Sequence, residues 1–157
     1  MSETYLTFTL AGETYAVGVS QVKEVLEHTT ITKVPRTIEF MKGVINLRGS
    51  VVPVIDLRLK FGMEEAEVTV DTSIIVMEVS LEGEAVVIGA IADSVEEVIT
   101  LDESEIEPSP QIGTRINNRF LKGIGKQGER FIIILDIDRL FSGEEISAVA
   151  EKSREGT

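Results

Sequence analysis

The chain has 157 residues, 43% of them hydrophobic and 27% charged, which suits one folded domain or two very small ones, not a disordered segment. A formal net charge of −12 argues against nucleic acid as a partner, because such binding rests on Lys and Arg neutralising phosphates. With no Cys and a single His, disulfides and thiolate metal sites are excluded, and a zinc or iron site lacks its usual set of ligands.

Aromatic residues make up only 5% and Trp is absent, so the apolar content is mostly Val, Ile and Leu, whose β-branched members favour strands. The opening Met1-Ser2-Glu3-Thr4 lacks the basic and apolar stretches of a signal peptide, and the longest apolar runs are too short to span a bilayer. A cytoplasmic protein without membrane insertion is expected. The charge is uneven: residues 61 to 114 hold fourteen acids and no base, whereas residues 1 to 60 hold six acids and seven bases. A solvated acidic face explains this, and so do two halves that meet different partners.

Tyr5 to Leu10 alternates polar and apolar residues with period 2, and Thr14 to Val19 follows across a Gly12-Glu13 turn, predicting a strand pair. A short helix is expected next, capped by Ser20, with Val19, Val22 and Leu26 on one face and Lys23, Glu24 and Glu27 outward. Gly43 to Leu47 and Val51 to Ile55 read as two strands turning at Gly49, with Pro53 placing the second at an edge or a bulge. Ser73 to Val79 and Ala85 to Ala92 form a second strand pair around Gly83-Glu84. Ser94-Val95-Glu96-Glu97 then matches a capping box and predicts a second short helix. Asp102 to Asn118 reads as a loop, and Gly123 to Gly125 with Phe131 to Leu135 as a last strand pair turning at Gly128. Gly143 to about Val149 reads as a helix before a fraying polar tail.

The order of elements is the same in both halves, and letters recur with it. Phe40-Met41-Lys42-Gly43-Val44 returns eighty positions later as Phe120-Leu121-Lys122-Gly123-Ile124, and Asp56 and Phe61 match Asp136 and Phe141 at the same offset. Val22-Lys23-Glu24-Val25 is echoed by Val95-Glu96-Glu97-Val98. Four or five short strands in each half suit a small closed barrel.

Little in the chain suggests catalysis. His28 would have to serve as the base of any Ser-His-Asp triad, and nothing around it in sequence suggests an elbow or an oxyanion turn. Asp56, Asp136 and Asp138 follow strands and could form a carboxylate site of a small hydrolase. Capping of short helices is the stronger reading, because Asp56 and Asp136 recur at equivalent positions. Gly123-Ile124-Gly125-Lys126-Gln127-Gly128 fits Gly-x-Gly-x-x-Gly, but it lies between two strands, so no helix N-terminus receives a phosphate.

Residues 40 to 61, with their Gly43-Val44-Ile45-Asn46-Leu47-Arg48-Gly49 block, closely resemble the CheW family of chemotaxis coupling proteins. Phe8 to Val17, the segment with Val22, Glu24 and Val25, and Phe120 to Gly125 fit the same family, so the resemblance runs from about Tyr5 to Glu144. It implies a mainly β fold of two tandem SH3-like five-stranded barrels with short connecting helices and a C-terminal helix. The whole chain, 1–157, would form one domain of two intertwined barrel subdomains: a first barrel over about 14–70, a second over 71–142, the N-terminal strand packed between them, and a helix and tail over 143–157. The resemblance also implies a non-catalytic adaptor without cofactors, recruited to membrane receptor arrays. Its partners would be the chemoreceptor's cytoplasmic hairpin tip and the regulatory domain of the chemotaxis histidine kinase. A free-standing copy of that regulatory domain, which has the same fold, is the alternative. Receptor-contact positions carried over from the family are Val22, Glu24, Val25, Gly43, Leu47 and Arg48. Kinase contacts are expected mainly on the second barrel, around Val87, Gly89, Val95 and Val98. Read physically, Val22 suits a core and Gly43 a backbone site without room for a Cβ, while Arg48 and Glu24 are expected to pair beside the receptor groove.

Overall fold

The structure is a computed structural model, which describes residues 2–34, 38–81, 83–107 and 120–140. The chain forms β1 (Ser2–Leu10), β2 (Glu13–Gly18), β3 (Val22–Glu27), β4 (Met41–Leu47) and β5 (Ser50–Asp56). An α-helical turn, α1 (Leu57–Lys60), follows, then β6 (Ser73–Leu81), β7 (Glu84–Ala92), β8 (Ser94–Asp102), β9 (Ile106–Glu107), β10 (Leu121–Gln127) and β11 (Arg130–Leu135). The expected loop from Asp102 therefore begins as a 3-10 turn and the short strand β9, and its remainder lies outside the described residues. So do Phe141 and the segment 143–157, where a helix and tail are expected.

The strands form a six-stranded sheet, ordered β8-β1-β2-β11-β10-β9, and a five-stranded sheet, ordered β3-β6-β7-β5-β4. This is the mainly β, double SH3-like architecture expected from the sequence, but its division does not fall near residue 70. The hairpin β1–β2 sits between β8 and β11 of the later half, and the hairpin β6–β7 sits between β3 and β5 of the earlier half. The two halves thus exchange their opening hairpins. Each exchanged hairpin meets its new sheet through one antiparallel and one parallel ladder. The parallel ladders are Val54 with Gly89 and Ile134 with Ala16 at equivalent places.

The exchange creates three cores. Tyr5, Ala16, Ile99, Leu101, Ile132 and Ile134 fill the six-stranded barrel. Ile45, Val52, Val54, Ile74 and Val76 fill the five-stranded one. A larger cluster between the sheets takes Leu6, Phe8 and Leu10 from β1 together with Ile55, Ile75, Met77, Ile88 and Phe120. Phe8, Tyr15, Phe61 and Phe120 run through it with successive ring centroids 6.0, 6.1 and 6.2 Å apart. Alternate residues of central strands face the barrel core and the shared core, which is why β6 reads as a continuous apolar run.

Two expected helices are strands. Val19–Gln21 makes only a 3-10 turn, and Ser20 starts no helix. Val22–Glu27 is an edge strand paired to β6, with Val22, Glu24 and Leu26 half-buried and Lys23, Val25 and Glu27 exposed. Over six residues the apolar positions fit either period, and pairing with β6 decides for the strand. Ser94-Val95-Glu96-Glu97 likewise opens β8, where Ser94 and Val95 face Thr9 and Phe8. Pro53 also differs from expectation: β5 is an inner strand, and the bulge in its ladder lies between Met41 and Gly43. The missing N–H is tolerated because the ladder with β7 begins one residue later, at Val54.

The sequence repeat corresponds to repeated structure. Asp56 N–H donates to the Phe40 carbonyl and Asp136 N–H to the Phe120 carbonyl, both at 2.8 Å. Gly43 and Gly123 each follow a bulge and lie under a crossing segment. A Cβ on Gly43 would penetrate the Thr32 carbonyl, and one on Gly123 would stand 2.8 Å from the Glu107 carbonyl oxygen. Thr32 pairs with Val44, and Glu107 with Ile124.

Candidate docking site

The five-stranded barrel has its edges at β3 and β4, and the site forms where those edges meet. Thr32, just past β3, exchanges backbone hydrogen bonds of 2.9 and 2.8 Å with Val44 of β4. Beyond it, Arg48 in the β4–β5 turn donates to Glu24 of β3 through both terminal guanidinium nitrogens, one of them 3.3 Å from Oε1. The pair expected from the sequence is formed. The Glu24 carboxylate beside it raises the Arg48 pKa above its ordinary value. The Arg48 side chain is 72% exposed and that of Glu24 26%, so the pair presents its cation outward.

The other positions expected on the receptor side separate into surface and support. Val25 is 42% exposed on the outer side of β3. Leu47 is half-buried against the five-stranded core, and Val22 against the shared core. Gly43 is buried beneath Ile31 and Thr32, so it supports the site through the backbone path. Val22 and Gly43 thus follow the physical reading of the sequence.

The four positions expected on the kinase side do not share a barrel. Val87 and Gly89 lie on β7 in the five-stranded sheet, because the hairpin exchange carries them there. Val87 packs on that barrel's core, and a Cβ on Gly89 would stand 2.8 Å from Ile74 Cγ2. Val95 and Val98 are on β8 in the six-stranded sheet. Val95 leans on the shared core, whereas Val98 is 58% exposed.

The carboxylates behave as structural groups. Asp56 Oδ1 accepts the N–H groups of Arg58 and Leu59 at 2.9 and 3.3 Å, capping α1 as expected. Asp136 makes no such cap and instead faces Arg139 at 3.6 Å. Asp138 bonds across to the other sheet, accepting from Ser80 N–H at 2.8 Å and Gln21 Nε2 at 3.0 Å. His28 and Asp56 border one cavity of about 110 Å³, but the groups around it are engaged, Lys42 with Glu65 and Arg58 with Asp93. Among the described residues no group of three or more His, Asp or Glu could hold a metal ion.

Sequence reasoning missed Arg58 and Asp93. Arg58 donates to both Asp93 carboxylate oxygens at 3.0 and 2.7 Å, and Asp93 Oδ2 also accepts the Ala11 N–H at 2.8 Å. This joins α1 to the turns at the ends of β7 and β1, residues far apart in sequence with no pattern linking them.

Two interlocked SH3-like barrels, one of them joined across its edge strands by the Arg48–Glu24 ion pair, define the class of fold. The CheW-like domain model matches residues 4–145. The chain is 35% identical to the Chemotaxis protein CheW of Klebsiella aerogenes, covering 95% of this chain and 87% of that one. It is 36% identical to the protein of the same name from Bacillus subtilis, covering 96% and 95%. The crystal structure of the scaffolding protein TtCheW from Thermoanaerobacter tengcongensis superposes with a TM-score of 0.80 at 39% identity, over 92% of this chain and 91% of that one. The chain belongs to the CheW-like domain family.

Proposed function

We propose that this chain is a non-catalytic scaffold that couples chemoreceptors to the histidine kinase of a chemotaxis system. The observation that carries this reading is the match along nearly the whole of both chains to relatives named Chemotaxis protein CheW. The name scaffolding protein, borne by the superposing structure, supports it. The receptor's cytoplasmic hairpin tip docks at the seam of the five-stranded barrel. Glu24, Val25, Leu47 and Arg48 present the contact surface, and Val22 and Gly43 hold it in place. An apolar helix face flanked by acidic groups would complement Leu47, Val25 and the outward Arg48 guanidinium. The kinase regulatory domain docks through β8, at Val98 with Val95 behind it, while Val87 and Gly89 act by shaping the neighbouring barrel. The protein works in the cytoplasm, drawn to the membrane by the receptors it binds. Among the described residues no helix is long and apolar enough to cross a membrane.

The test mixes the purified protein with receptor-tip fragments and the full-length kinase. A co-sedimenting ternary complex with altered kinase autophosphorylation is expected. Absence of both would refute the scaffold reading.

A further inference from the structure

Each barrel sends one side chain across to the other from an equivalent place. Asp56 closes β5 and Asp136 follows β11, and two residues beyond them stand Arg58 and Asp138. Arg58, beside the five-stranded sheet, donates to both oxygens of Asp93 in the connection between β7 and β8. Asp93 in turn holds the β1–β2 hairpin of the six-stranded sheet. Its carboxylate accepts the Ala11 N–H at 2.8 Å, and its own N–H donates to the Thr9 carbonyl at 3.0 Å. Asp138, beside the six-stranded sheet, accepts from Gln21 Nε2 in the connection between β2 and β3 at 3.0 Å. It also accepts the Ser80 N–H of the β6–β7 hairpin, in the five-stranded sheet, at 2.8 Å.

The two clasps share a plan and differ in chemistry. In each, a side chain just past the last hairpin of one half meets a side chain in the connection that leaves an exchanged hairpin. In each, a carboxylate takes a backbone N–H near that hairpin's turn. The carboxylate sits on the connection in the first clasp and past the strand in the second. The first clasp is therefore an ion pair made through a planar fork, which fixes angle as well as distance. Its side chains are only 20% and 25% exposed, so salt screens it little. The second offers one carboxylate oxygen to two neutral donors at an exposed site, and it constrains less.

Both clasps bridge the boundary that the shared core fills. Apolar packing is non-directional, so the angle between the barrels needs directional bonds across that boundary. A scaffold that carries one partner on each barrel acts through this angle, because the relative placement of the partners follows from it. None of Arg58, Asp93 and Asp138 is among the residues presented at either docking surface.

We infer that the Arg58–Asp93 and Asp138–Gln21 clasps are positioning contacts that together set the angle between the barrels, the ionic clasp being the stiffer, so that loosening them uncouples the two partners without releasing either. The inference rests on the scaffold reading and adds to it the means by which partners on separate barrels are kept in register.

The chain has no Cys, so spin labels can be attached at Glu27→Cys and Glu129→Cys alone, exposed positions of the two barrels. Pulsed dipolar spectroscopy then measures the distance between barrels in the labelled protein and in its Arg58→Gln, Asp138→Ala and doubly substituted forms. A single narrow distance is expected without further substitution. Arg58→Gln should shift or broaden it, Asp138→Ala less so, and the pair together most. Arg58→Lys, which keeps the charge but not the fork, should fall between Arg58→Gln and Arg58. In unlabelled protein, affinities for receptor-tip fragments and for full-length kinase, measured separately, should stay within about twofold in every variant. The effect of the ternary mixture on kinase autophosphorylation should shrink by about fivefold or more in the double variant. A single urea transition identifies folded variants, and if the double variant does not fold, the two single ones carry the comparison. An unchanged distance distribution in folded variants overturns the inference. So does a loss of either separate affinity in step with the loss of kinase response, which marks a damaged contact or fold. If the unaltered protein binds neither partner, the scaffold reading falls and the uncoupling with it, while the distances still decide whether the clasps set the angle.

Discussion

Arg48 reaches from the β4–β5 turn to Glu24 of β3 with both terminal nitrogens, while its own backbone stands in the left-handed region at φ 50°. Gly49 follows at φ 88°, so both central residues of this two-residue turn have positive φ. Such turns favour Asn-Gly, and a long side chain at the first position is disfavoured. Arg48 therefore occupies a place where local backbone preference asks for another residue, which points to a use for its guanidinium.

This separates folding from docking. Arg48→Asn suits the turn better, so its urea midpoint should equal or exceed that of the unaltered protein. Receptor-tip affinity should fall by roughly tenfold, the scale of a lost anchor. Titration of both proteins against the same receptor fragment checks this, and unchanged affinity would remove Arg48 from the contact surface.

Gly43 makes the opposite prediction. A Cβ there meets the Thr32 carbonyl and Ile31 Cγ2, and the backbone sits at φ 149°. Gly43→Ala should lower stability by about 2–4 kcal/mol, and any loss of receptor binding should follow the loss of folded protein. Gly123→Ala, with its Cβ 2.7 Å from Ile106 Cγ2 and 2.8 Å from the Glu107 carbonyl oxygen, should cost a similar amount although it lies in the other barrel. Urea denaturation of both variants compares them directly.

Most strands could be read from the sequence because period-2 alternation, short apolar runs and Gly turns are local signals. β1, β2, β4 to β7, β10 and β11 all fall where those signals place them, β6 and β7 through their nearly continuous apolar runs. β3 and β8 could not, since Val22 and Leu26 satisfy helical spacing over a stretch too short to separate the two periods. Their strand character comes from β6 and β1, each about fifty to ninety residues away in sequence. The resemblance implied intertwined barrels, but which hairpin joins which sheet was hidden for the same reason. A repeat shows that two halves are alike, but not which copy of a hairpin pairs with which sheet. At the site, Glu24 and Arg48 were legible through family resemblance.

Two aspartates should shift stability with pH in opposite directions. Burial pushes the Asp56 pKa above its ordinary value, against the N–H groups of Leu59 and Arg58 that pull it down. A raised folded pKa contributes stability below the unfolded value of about 3.9, and that contribution is lost as pH rises through the folded value. At neutral pH the Asp56 charge is therefore a liability, while its oxygen is needed as the cap. Asp56→Asn keeps an acceptor and should be as stable as the unaltered protein or more so at pH 7, with the difference shrinking below about pH 4. For Asp93, burial also pushes upward, but the Arg58 guanidinium and the Ala11 N–H outweigh it and hold the pKa below its ordinary value. Its contribution is present above the unfolded pKa and lost as pH falls through the depressed folded value. Asp93→Asn should cost of order 1–3 kcal/mol at pH 7 and progressively less in acid. Urea midpoints of both variants across pH 3 to about 8 give the comparison, and parallel curves would refute the assignment.

The hairpin exchange predicts that the halves depend on one another for folding. Cutting between Asp71 and Thr72 separates β1 to β5 from β6 to β11, and every ladder that joins an exchanged hairpin to its sheet crosses the cut. In the first fragment β1 loses β8, β2 loses β11, β3 loses β6 and β5 loses β7. What remains is two hairpins and an unpaired strand, and isolated two-stranded hairpins are at best marginally stable in water. The shared core is divided as well, with Phe8, Tyr15 and Phe61 on one side and Met77, Ile88 and Phe120 on the other. Neither fragment should show cooperative unfolding alone, whereas an equimolar mixture should recover strand circular dichroism and a single urea transition. Two barrels divided by sequence at residue 70 would instead give two fragments that each fold without the other.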